Sequence, residues 1–123
     1  MESFRQPPPG VALAEEAHAA LRRLRHETGG RDLESPAELY RTLGLLHQLA
    51  DDLSQVLPSL HDQLERALLA GRLQHTALAA TARETIDAVA SAGHSMSVAH
   101  YTGLLVSQEL RKAHAAVRDL AAP

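Results

Sequence analysis

The 123-residue chain predicts an all-α fold, an antiparallel helical hairpin or four-helix bundle packed along heptad seams of Leu and Ala. Three observations carry that expectation. The apolar residues include 22 Ala and 21 Leu but one Ile, one Phe, two Tyr and no Trp, so the best helix formers abound and strand formers are scarce. Gly29-Gly30, Gly71 and Gly93 divide the chain into stretches of helical length. Within those stretches the apolar residues recur at alternating steps of three and four.

Residues 1–10 end in Pro7-Pro8-Pro9-Gly10 and predict an extended, mobile arm. A first helix is expected over about 11–28, with Leu13, Ala17, Leu21 and Leu24 on one face and Gly29-Gly30 as its stop. RDLE, 31–34, reads as a linker. Ser35-Pro36-Ala37-Glu38 combines a capping serine, a proline suited to the first helical position and the glutamate of a capping box. The second helix should run over 36–70. Leu39, Leu46, Leu53 and Leu60 form one column of its seam, and Leu43, Ala50, Leu57 and Leu64 the other. Pro58 falls inside this helix. The heptad phase is the same on both sides of it, which favours a kink near Pro58 over a loop. A third helix is expected over 73–92. Gly93-His94-Ser95 reads as a break, and a fourth helix follows over 96–120. Its seam is Ala99, Gly103, Val106, Leu110, Ala113, Val117 and Leu120, where Gly103 admits a close neighbour.

By length the chain is one domain, a single helical domain over 11–120. Few aromatics mean little buried area per residue, which motivates self-association as a source of further burial. The formal charge is −3, and protonating all eight His would carry it to +5. That reversal would fall near the ordinary imidazole value of ~6.5. At neutral pH no basic excess recruits nucleic acid or an anionic membrane. With no Cys, disulfides, thiol catalysis and Cys-based zinc sites are excluded. The N-terminal residues lack a signal-peptide layout and no apolar run reaches a membrane span, so a cytoplasmic location is expected. The Ala, Leu and Arg bias resembles that of small helical proteins of high-GC actinobacteria.

Histidine is the residue type to weigh for chemistry. His47 and His61 lie fourteen residues apart beside the expected seam, and His100 and His114 repeat the interval. They read as half-buried polar residues on a seam edge, with a pH-sensitive rim as the sharper hypothesis. No two His stand one helical turn apart; His47 with Asp51 and His61 with Glu65 do, but two ligands make no metal site. Glu15-x-x-His18 is the ligand word of di-iron bundles, but its second copy is missing. Residues 85–105 faintly resemble a helix-turn-helix corner at Gly93, though Met96 to Leu110 contains no Arg or Lys for phosphates. No GxSxG, phosphate-loop or dinucleotide pattern occurs.

These readings converge on a non-enzymatic module for protein–protein contact, an adaptor, assembly or regulatory subunit whose partner is itself, with no cofactor and no metal. The expected contact residues are Leu46, Leu53, Leu57, Leu60, Leu64, Val106, Leu110 and Val117. Two alternatives come from other classes. One is a DNA-associated regulator built on 85–105. The other is a small secreted helical hairpin of the ESAT-6-like kind, which the chain resembles in length and helix content. That family's turn carries Trp-x-Gly, and this chain has no Trp, so the resemblance stops at architecture.

Overall fold

A computed structural model describes residues 8–30, 35–73 and 81–120. It contains three helices, α1 (Pro9–Gly30), α2 (Pro36–Leu69) and α3 (Ala82–Val117), and no strand among the described residues. The chain falls into two compact units, Met1–Glu34 with α1 and Ser35–Pro123 with α2 and α3. The expectation of a single domain over 11–120 did not contain that division. Most of the expected arm, the linker 31–34 and the segment 74–80 of the expected third helix lie outside the described residues.

α1 starts two residues before the expected Val11, at Pro9, whose fixed φ suits a first turn. Near its end the Thr28 hydroxyl donates to Leu24 O at 2.8 Å. On the face expected to be inner, Leu13 and Leu21 are exposed and Leu24 is half-buried.

α2 begins where the capping signal lies. Ser35 is extended, at φ −159° and ψ 156°, and its hydroxyl accepts from Glu38 N at 3.2 Å, with Pro36 in the first turn. The helix continues through Pro58 without interruption to Leu69. It ends in a Schellman motif. Gly71 takes φ 70°, its N–H reaches Leu68 O at 3.1 Å, and Arg72 N–H reaches Ala67 O at 2.9 Å.

α3 is capped by Thr81, whose hydroxyl accepts from Glu84 N at 3.2 Å. It then runs unbroken to Val117. The expected break at Gly93-His94-Ser95 is therefore absent, the third and fourth helices are one, and no helix-turn-helix corner forms at 85–105. The reason is tertiary. Gly93 is buried under the ring of His61, and a β-carbon there would have to push that ring aside. This glycine serves close approach; it does not stop a helix.

The two long helices pack antiparallel. His47 meets Ser107, Ser54 meets His100, and His61 meets Gly93, so α3 numbers fall as α2 numbers rise. The deeply buried residues are small: Ala50, Ser54, Val89, Gly93 and Ser107. Helices that meet through such residues gain little buried area, and close backbone approach compensates in part.

Candidate functional site

The seam between α2 and α3 is made of the residues that are buried or half-buried there. Its repeating positions, at steps of three and four, are Leu43, His47, Ala50, Ser54, Leu57, His61 and Leu64 in α2 and Val89, Gly93, Met96, His100, Gly103, Ser107, Leu110, His114 and Val117 in α3. One expected column is present in each helix. The other lies one residue later than expected: the position belongs to His47, Ser54 and His61, not to Leu46, Leu53 and Leu60. The same slip applies in α3, where His100, Ser107 and His114 replace Ala99, Val106 and Ala113. All four seam histidines thus enter the helix interface instead of riding at its edge.

Each histidine faces a small residue or an aromatic ring. His47 Nδ1 donates to Ser107 O at 2.9 Å and lies 3.0 Å from Ser107 Oγ. His100 Nδ1 donates to Ser54 O at 2.6 Å. A carbonyl oxygen only accepts, so both bonds require the proton on Nδ1. His114 stacks on Tyr40, with ring centroids 4.0 Å apart, and a β-carbon on Gly44 would come within 2.8 Å of its Nε2. His61 lies over Gly93 and pairs with Glu65 at 3.0 Å.

Pro58 explains the shorter of these bonds. It has no N–H, so Ser54 O, four residues earlier, loses its helical donor. His100 supplies one from the opposite helix. The Ser54 hydroxyl turns back to Ala50 O at 3.0 Å, and the whole residue is 0% exposed. Gly103 has no side chain because Ser54 occupies that space.

These contacts reveal a repeat. His-x6-Ser-Gln-x-Leu-x3-His spans 47–61 and again 100–114. A shift of 53 residues exchanges the two His–Ser links, and it carries His61 over Gly93 onto His114 beside Tyr40. The hairpin therefore has an internal two-fold relation, centred on Ala50 and Gly103.

The displaced leucine column lies on one flank of the seam. Leu53 is 56% exposed, Leu60 46% and Val106 47%, while Leu46 is half-buried. Leu49 and Val56 extend this flank. Between the helices runs a groove of about 580 Å³ lined by Ala50, Leu53, Val98, Ala99, Gly103 and Val106, together with the polar His94, Ser95 and Thr102. Of the residues expected to make contacts, Leu57, Leu64, Leu110 and Val117 belong to the seam, and Leu46, Leu53, Leu60 and Val106 to this flank. The opposite flank is polar, where Pro58, His61, Asp62, Glu65, Ser97 and His100 border a smaller cleft.

Among the described residues, no group of three or more His, Asp or Glu converges on a point that would hold a metal, and no helix is long and apolar enough to cross a membrane. Glu15 and His18 are both exposed on α1. The seam serines escaped the sequence reading because serine scores as polar. Their fourteen-residue frame was nevertheless signalled by the histidines seven residues to either side. Comparison with family models, with curated proteins and with solved structures finds no match for this chain.

Proposed function

We propose that the chain is a non-enzymatic helical interaction module that self-associates, serving in the cytoplasm as an adaptor, assembly or regulatory subunit. The observation that carries this reading is the exposed leucine flank of α2. Leu46, Leu49, Leu53, Val56 and Leu60 form a continuous apolar strip, and the acidic residues within the same span, Asp51 and Asp52, occupy other sides of the helix. A strip of this kind marks a contact surface. Coiled-coil-like packing of α2 on α3 leaves the strip outside the hairpin and available to another protein.

Light scattering on the full chain across micromolar concentrations tests the reading. The expected result is a mass above 13.3 kDa that rises with concentration. A monomer mass throughout would end the proposal. Substitution separates surface from seam. Leu53→Asp should lower the mass and keep the helical signal. Leu110→Asp, placed in the seam, should unfold the hairpin.

A further inference from the structure

The groove on Ala50 and Gly103 sits where the two repeats of the hairpin meet. Leu53 and Val106 are equivalent under the 53-residue shift, as are Leu46 and Ala99. The positions match, but the residue sizes do not. α2 offers a ridge of Leu46, Leu53 and Leu60, whereas the same positions of α3 hold Ala99, Val106 and Ala113 beside Gly103. One half of the surface stands proud and the other half is recessed. A two-fold dimer requires a patch complementary to itself, and a ridge beside a trough meets that requirement.

We infer that a second copy of this chain docks face to face on this groove, with α2 of each copy lying antiparallel over α3 of the other. This rests on the self-association reading and gives it a geometry. Charge supports the choice of occupant. From Thr42 to Gln63 the ridge and its outer row are Thr42, Leu46, Leu49, Leu53, Val56, Leu60 and Gln63, none of them charged. On α3 the corresponding outer row holds Glu109, the counterpart of Val56, which pairs with Lys112, and His94 borders the groove. A nucleic acid or an anionic membrane would find no cation on the α2 ridge, whereas an identical copy sets that uncharged ridge against the Ala99, Val106 and Ala113 column of its partner. The area is sufficient. The span from Thr42 to Gln63 is about 30 Å long, and two helices side by side are about 20 Å wide. Two such faces bury on the order of 1,000 Å², the lower bound for a specific interface. The small floor residues let the paired helices approach, as Gly103 already does toward Ser54.

The test is the solution mass of the full chain as a function of concentration for the parent and four variants, with helicity followed by circular dichroism. Leu53→Asp and Val106→Asp should each weaken dimerisation at least about tenfold, since both place a charge in the desolvated centre of the interface. Leu45→Asp and Leu105→Asp should change it less than about twofold, because these leucines, 64% and 63% exposed, lie away from the groove. If either charged variant loses helicity, Leu53→Ser and Val106→Ser replace them, with a smaller loss expected. A monomeric parent overturns both this geometry and the self-association reading. A dimeric parent that survives Leu53→Asp but is dissociated by Leu45→Asp or Leu105→Asp overturns the groove and leaves self-association standing. A mass that grows past the dimer also overturns it, because the face-to-face arrangement closes on itself.

Discussion

Single residues decide how closely α2 and α3 approach. Three glycines face side chains across the seam, but the obstacles differ. At Gly44 and Gly93 the nearest atom is the far end of a half-buried imidazole, which can swing aside. At Gly103 it is the wholly buried Ser54, whose β-carbon would lie 3.4 Å from a new one. Gly103→Ala should therefore cost about 1–3 kcal/mol by overpacking. Gly44→Ala should fall below about 1 kcal/mol, because the gain in helix propensity offsets the shift of His114. Urea unfolding of the two variants checks the order. His100 and Pro58 are coupled in the same way. His100→Ala should destabilise the parent by about 1–3 kcal/mol, the cost of leaving a buried carbonyl unpaired. It should cost clearly less in a Pro58→Ala background, where residue 58 regains the N–H that serves Ser54 O. Equal losses in both backgrounds would refute the link.

The elements show how far sequence reasoning reaches. Helix class and the start of α2 were legible, because propensity and capping are local properties that a few neighbouring residues express. Thr81-Ala82-Arg83-Glu84 carries the same capping word but fell inside the third helix expected from residue 73, after the Gly71 turn, and was missed as a start. Gly93 was misread because a helix stop and a close approach use the same residue, and only His61, 32 positions away, distinguishes them. The seam was read half correctly in each helix. Leucine outweighs His, Ser and Gly on any hydrophobic scale, so pattern reading favoured Leu46, Leu53 and Leu60 over the column that is in fact interior. The helix ends give direct tests. Thr81→Ala should lower hairpin stability by about 1 kcal/mol through loss of the Glu84 N–H partner. Gly71→Ala should cost a similar ~1 kcal/mol, because a β-carbon is disfavoured at φ 70°. Both are read from chemical denaturation midpoints.

At the scale of the whole molecule, a thin interior joins two long helices and leaves an apolar strip outside. Such a chain draws stability from its own concentration if it pairs. Its thermal midpoint should rise when the protein concentration is raised a hundredfold, and the midpoint of Leu53→Asp should not. A concentration-independent midpoint in the parent would argue that the strip is idle. The His100 to Ser54 bond carries a further consequence, for folding cooperativity. Along α2, every hydrogen bond except the one at Pro58 can be closed within the helix itself. That missing rung is supplied by α3, so a lone α2 is frayed at its middle until its partner arrives. The two halves of α2 and the facing stretch of α3 then open together as one unit. In native-state hydrogen exchange, amides of α2 on either side of Pro58 should share a single opening free energy with those around His100. In His100→Ala that shared value should split, with the segment after Pro58 exchanging first.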